Sequence, residues 1–221
     1  RRHDGGTIIT EHDYLLIMNE FRLFEQQDIF GELCSIVFVL FATTNLRIGE
    51  ILNLERVCIQ EGSKDESFTA EVAYRTKMSG GEYVYERKSS KVIELIERAL
   101  NITSPLIDEY AKDILTNFVF VSPTRGRSRS RLKRIDFNNV FRRIVIKLQD
   151  KLDNTTYESR NIRHTFIDSV YKEGTQTGLS IREMAQVAGN SYMVANQHYR
   201  QNNEVQLYVE IMSKVTISDV D

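Results

Sequence analysis

Ser159-Arg-Asn-Ile-Arg-His-Thr-Phe166 places Arg160, Arg163 and His164 at i, i+3 and i+4 of a helical segment, so the three share one face. A cation-rich face suits an anion, and arginine offers a planar fork of donors that matches a phosphate. Ile162, Phe166 and Val170 fall on a different, apolar face. Taken alone, the stripe is also what a solvated helix face looks like. Another arginine, Arg47, opens the segment Arg-Ile-Gly-Glu-Ile-Leu-Asn-Leu54, with Glu50 one turn behind it. Near the C-terminus, Gly189 ends one helix, Asn190 or Ser191 caps the next, and Tyr199 closes it. A tyrosine hydroxyl with an ordinary pKa of about 10 is a weak nucleophile at neutral pH and needs a cationic pocket to help it lose its proton. Taken alone, Tyr199 is more often a packing tyrosine with its hydroxyl at the surface, and nothing in periodicity marks it as a nucleophile.

The charges are unevenly spread. The net charge is -2, yet Arg125-Gly-Arg-Ser-Arg-Ser-Arg-Leu-Lys-Arg134 carries six cations and no acid, and Arg142, Arg143 and Lys147 follow on a helical stretch. Such a run reads as a solvated loop or as the electrostatic footprint of a polyanion. On the second reading, Arg125, Arg127, Arg129, Arg131, Lys133 and Arg134 contact DNA backbone phosphates rather than bases.

The elements that must position these residues are mostly helical. Thr10 followed by Asp13 predicts a capped helix over 11–27, with Leu15, Met18, Phe21 and Phe24 or their neighbours on its buried face. A nearly all-apolar helix at 31–43 is the expected core element, and a short helix starts at or near Arg47. From Phe68 the pattern alternates, predicting a β-hairpin through Tyr74 and Tyr83–Tyr85, with Lys77 beside the Ser79-Gly-Gly turn. Helices are expected at 89–100 and 106–116, a short strand at 118–121, and further helices at 136–152, 159–173, 180–188, 192–199 and 203–214. The fold class is therefore mainly α with a small antiparallel β-hairpin or sheet. Cys34 and Cys58 lack a metal or disulfide spacing and read as buried thiols. The longest apolar run, within Leu33–Ala42, is far short of the roughly 20 residues that span a bilayer. The chain reads as soluble and intracellular.

The order Thr-Asn-Leu-Arg47-Ile-Gly-Glu50, hairpin Lys77, Arg160-x-x-Arg163-His-Thr-Phe, Ala-Gly-Asn190-Ser and Tyr199 resembles the tyrosine recombinase (phage integrase) family across most of the chain. That family's pattern is a T-G-L-R-x-G-E-like segment, a hairpin lysine, H-x-L-R-H-T-F, L-G-H-S, and a tyrosine nine residues after the second histidine, a step that Asn190 to Tyr199 keeps. The resemblance implies the recombinase catalytic-domain fold. It also implies that Arg47 and Arg163 clamp the scissile phosphate, that Lys77 is the general acid and that Tyr199 attacks. Glu50 matches an acid that orients a catalytic arginine, and His164 a histidine with a supporting role. No metal or nucleotide cofactor is implied, and neither a Gly-rich P-loop nor an acidic metal cluster stands in the sequence. The implied partner is double-stranded DNA bound by a multimer, a tetramer in such systems.

Two positions depart from the pattern. Arg160 replaces the first histidine and Asn190 the second histidine or tryptophan. Arg160 can donate to a phosphate oxygen but is a poor base, and Asn190 can donate but cannot titrate. Deprotonation of Tyr199 is then left to solvent, the substrate phosphate or His198. Residues 1–199 read as the catalytic domain and 200–221 as a tail that packs on its own domain or on a neighbouring subunit. The family resemblance places a DNA-clamping domain upstream. A type IB topoisomerase, a telomere resolvase and a non-catalytic DNA-binding protein are the competing functions.

Overall fold

Helix α1 (Glu11–Glu25) begins where Thr10 turns its hydroxyl oxygen to accept from the Asp13 amide at 3.2 Å, as the capping pattern predicts. The computed structural model describes residues 7–65, 68–76, 80–110, 117–122 and 130–189. The buried face of α1 is rotated from the one expected. Ile17 and Phe21 are fully buried, Met18 and Phe24 partly so, and Leu15 faces solvent. Phe21 stacks on Phe38 of α2 (Ile29–Thr43) at a ring separation of 4.3 Å and on Phe137 of α5 (Arg134–Lys147) at 5.9 Å. Helix α2 is the central core element, with Leu33 through Phe38 buried without a break.

Asp13 does not close a capping box. It is completely buried and accepts from the Asp153 amide at 3.0 Å, the Asn154 amide at 3.3 Å and the Tyr157 hydroxyl at 2.9 Å. One carboxylate thus ties the start of α1 to the segment that leads into α6 (Ser159–Gln176).

The expected hairpin is the right-hand part of a three-stranded antiparallel sheet. Strand β1 (Ile59–Asp65), too polar to register as a strand, pairs with β2 (Phe68–Arg75), which pairs with β3 (Tyr83–Lys88). Gly80 and Gly81 adopt φ of +65° and +94° at the turn before β3, a region that favours glycine. The register sets Tyr74 opposite Val84, Val72 opposite Glu86 and Ala70 opposite Lys88, so Glu86 and Lys88 share the sheet face of buried Val72 and Tyr74. Helices predicted at 89–100 and 106–116 are replaced over the described residues by one helix, α4 (Ser90–Tyr110), with Pro105 inside it. In the turn before that proline, Thr103 and Ser104 donate to the Ala99 and Leu100 carbonyls, and Arg56 donates to Leu100 and both hydroxyls. A short hairpin, β4 (Val121–Ser122) with β5 (Ser130–Arg131), completes the strands among the described residues.

The chain divides into two compact units, 1–164 and 165–221, with the boundary inside α6. In the second, Ile167 and Tyr171 pack with Met184, Ala185 and Ala188 of α7 (Ile181–Ala188). Gly174 permits that approach, since a Cβ there would lie 2.6 Å from Met184. Helix α7 ends at Gly189 in the left-handed conformation, as its sequence predicts. The segments expected to be helical at 192–199 and 203–214 lie outside the described residues, and no described helix is long and apolar enough to cross a membrane.

Two outcomes follow from this packing. Asp13→Ala leaves buried donors without their acceptor and should cost about 2–3 kcal/mol in urea unfolding; exposed Glu11→Ala should cost less than about 1 kcal/mol. Equal losses would show that Asp13 is not a staple. Burial raises the Cys34 and Cys58 thiols to about 12. At pH 8 neither should react with a thiol reagent in the native state, and both should react in denaturant.

Candidate phosphate-binding site

Arg47 stands at the turn between α2 and α3 (Ile48–Leu52), and local hydrogen bonds fix that turn. The buried Thr44 hydroxyl donates to the Leu40 carbonyl at 2.6 Å and accepts from the Leu46 amide at 3.3 Å. Arg47 is the N-cap of α3. Glu50 Oε2 accepts from the Arg47 amide at 2.7 Å, while Oε1 accepts from the Arg47 guanidinium at 3.0 Å. The carboxylate therefore both satisfies an orphan helix donor and holds the side chain that leaves the helix start. Glu50 is almost buried, whereas the Arg47 side chain keeps 44% of its surface exposed.

Arg163, on the first turns of α6, donates from Nη1 to the Asn45 carbonyl at 2.6 Å. Burial holds its guanidinium below the ordinary arginine range, and the like charge of Arg47 adds to this, opposed by Glu50 and Tyr74. Arg47 and Arg163 are therefore electrostatic neighbours. Two guanidiniums anchored at one end, with one half exposed, form a site suited to the non-bridging oxygens of a phosphate.

Behind them lies a polar cluster that sequence reasoning missed. The Asn45 side-chain amide donates to both Glu86 oxygens at 3.0 and 3.3 Å and accepts from Lys88 Nζ at 2.5 Å. Lys88 also pairs with Glu86 at 2.5 Å, and the Tyr74 hydroxyl donates to Glu86. Burial pushes the Glu86 carboxyl up, but hydrogen bonds from Lys88, Asn45 and Tyr74, with the Lys88 charge, more than offset it and its pKa is lowered. Tyr74 sits close to both arginines, yet it is no nucleophile candidate. Burial first, then the charge and hydrogen bond of Glu86, raise its pKa far above the ordinary tyrosine value. Two charged residues on the inward face of β3 were the available signal.

The remaining expected residues divide. Arg160 is exposed, pairs with Glu158 at 2.9 Å, and lines a cleft of about 610 Å³ with Arg134, Arg142 and Asn138. His164 follows Arg163 on α6 and is half-buried. Arg131, expected on a solvated phosphate-contacting run, is instead engaged by protein. Its guanidinium lies 3.5 Å from the Phe118 ring centroid and donates to the Leu52 carbonyl at 3.3 Å and to the Asn53 side chain, and burial lowers its pKa. Lys133 caps α5, its amide bonded to Asp136 at 2.8 Å, and Arg134 is exposed at the start of that helix. Lys77, Asn190, His198, Tyr199, Arg125, Arg127 and Arg129 lie outside the described residues.

No family model matches the chain, and no curated protein matches its sequence. Solved structures do match by shape. The XerH site-specific recombinase bound to its difH substrate aligns with a TM-score of 0.62 at 14% identity, over 91% of this chain and 53% of that one. The XerA recombinase gives 0.55 at 18% identity, over 90% and 60%. The Tn1549 transposon integrase, in complex with transposon right end DNA, gives 0.53 at 14% identity, over 91% and 66%. The chain spans about half the length of the first of these structures. It has the mostly helical fold, with a small antiparallel sheet, of the catalytic domains of tyrosine recombinases.

Proposed function

We propose that this chain cleaves and rejoins double-stranded DNA as a site-specific recombinase, integrase or transposase, through a 3′-phosphotyrosine intermediate. The observation that carries the reading is the pair Arg47 and Arg163, neighbours in charge and each held at a fixed acceptor. A lone cation would serve binding only. Two forks at one point suit a phosphate whose charge redistributes during transfer. Fold likeness to recombinases and the order of motifs ending at Tyr199 support the same reading.

In the proposed reaction the Tyr199 oxygen attacks the phosphorus and forms a P–O bond while the bond to the 5′ oxygen breaks. Lys77 supplies the proton that the departing oxygen takes up, and the tyrosyl proton passes to solvent, the substrate phosphate or His198. The new phosphodiester stores the energy of the old one, so attack by a 5′ hydroxyl reverses the step without a nucleotide. Arg47 and Arg163 hold the non-bridging oxygens, Glu50 orients Arg47, Asn190 donates to the phosphate, and His164 supports Arg163. Assembly as a tetramer on two DNA sites and exchange of the 200–221 tail between subunits belong to the same reading.

The cation map refines how the rest of the DNA is held. Arg131 is committed to Phe118 and α3, so it serves the fold. Arg125, Arg127, Arg129, Lys133 and Arg134 remain proposed phosphate contacts. Arg142 and Arg160, which line one cleft with Arg134, extend that surface.

Incubation with a nicked suicide duplex, followed by a denaturing gel, should give a covalent DNA adduct that Tyr199→Phe abolishes and Arg163→Ala reduces at least about hundredfold. An adduct surviving Tyr199→Phe would refute the assignment, and DNA binding without any adduct would make the chain a non-catalytic DNA-binding protein. Separately, Arg134→Ala, Arg142→Ala and Arg160→Ala should each lower the salt-dependence slope of binding by about 0.9. Arg131→Ala should leave that slope unchanged and lower thermal stability. A reduced slope for Arg131→Ala would overturn the division.

A further inference from the structure

Asn45 touches Arg163 with its backbone and the sheet with its side chain. Its carbonyl accepts from Arg163 Nη1 at 2.6 Å. Its amide is gripped at both ends, the nitrogen on the Glu86 carboxylate and the oxygen on the Lys88 ammonium. Only one orientation of the amide satisfies both neighbours, because a flip would set donor against ammonium and acceptor against carboxylate. The Lys88 side chain is only 10% exposed and its ion pair with Glu86 measures 2.5 Å. Such a pair is unlike the screened surface pairs that contribute little, and removing one member strands the other in a poorly solvated place.

A core built only for stability has a simpler solution at 45, 86 and 88, namely apolar side chains matching Val72 and Val84 across the sheet. The polar solution instead fixes a carbonyl in the non-helical turn between α2 and α3, against a guanidinium on the distant α6. We infer that Glu86 and Lys88 are positioning residues that set the Arg163 guanidinium by clamping the Asn45 side chain. The inference rests on the reading of Arg163 as a phosphate ligand. It adds β3 to the parts of the fold that tune the site. Glu86 and Lys88 are bonded to the Asn45 side chain, and both act through it.

Two readouts test it on the full chain. In the first, the protein is labelled with 15N-arginine, and the Arg163 guanidinium signal is identified by its loss in Arg163→Lys. Lys88→Met and Asn45→Leu should speed exchange of that signal at least about tenfold, while Arg87→Met on the opposite face of β3 should not. An unchanged signal in both variants overturns the inference, whether or not the chain cuts DNA.

The second readout is the first-order rate of adduct formation on a saturating suicide duplex. Misplacing a transition-state ligand should slow Lys88→Met by about tenfold to a hundredfold, with DNA affinity within about twofold of wild type. In an Arg163→Lys background the same substitution should add less than about threefold, since its route is already cut. A full additional loss in that background would mean a general structural role and overturn the proposal. Lys88→Arg, which keeps a cationic donor, should restore most of the rate. If Lys88→Met does not fold, Glu86→Gln takes its place in both readouts with the same expected outcomes. A wild-type chain that forms no adduct would defeat the proposed function, and the exchange measurement would still decide the positioning role.

Discussion

Arg47 and Arg163 carry like charges that act on one another, and each is held at an acceptor. Burial and the like charge of Arg47 both hold the Arg163 guanidinium below its ordinary range, so each cation disfavours the charge of the other. The fold meets this with acceptors placed at each guanidinium. Glu50 takes both the amide and the guanidinium of Arg47, and the Asn45 carbonyl takes Arg163. Each acceptor is fixed in turn, Glu50 by the first turn of α3 and Asn45 by Glu86 and Lys88 of β3. What is left over is a region of positive potential that a phosphate dianion or diester would relieve.

That constraint explains the division of labour among elements. The apolar helix α2 delivers the turn at 44–47, and its Thr44 hydroxyl stops the helix so that Arg47 caps the next one. Asp13 ties α1 to the segment leading into α6, and thereby to the turns that carry Arg163. The sheet takes part through β3 (Tyr83–Lys88). Its inward face presents the charged pair that holds the turn.

Much of this could be read from residue types, and the failures have physical causes. Helices α1, α2 and α7 have caps or apolar content that match their positions, and α5 and α6 keep a helical period. Strand β1 escaped because Ile-Gln-Glu-Gly-Ser-Lys-Asp lacks alternating apolar residues, and its place comes from pairing with β2. Two helices were expected where α4 runs on through Pro105, because hydroxyls of Thr103 and Ser104 and the Arg56 guanidinium hold the turn before that proline. At the site, Arg47, Glu50 and Arg163 stood out because motif order marks them. Asn45, Glu86 and Lys88 did not, since their meaning lies in contacts 41 and 43 residues apart in sequence. Charge counting likewise cannot tell a solvated arginine from Arg131, whose guanidinium lies over Phe118. Nor does spacing show that Arg160 pairs with Glu158 in a cleft beside Arg134 and Arg142.

The proposed reaction requires one phosphate to sit on both Arg47 and Arg163. A crystal structure of the Tyr199→Phe chain on an intact duplex carrying its target site measures this directly. The account predicts the scissile phosphorus with non-bridging oxygens within about 3 Å of both guanidiniums, and with Glu50 and Asn45 still bonded to them. A phosphate seated instead in the Arg134, Arg142 and Arg160 cleft, with Arg47 and Arg163 touching no DNA, would contradict it.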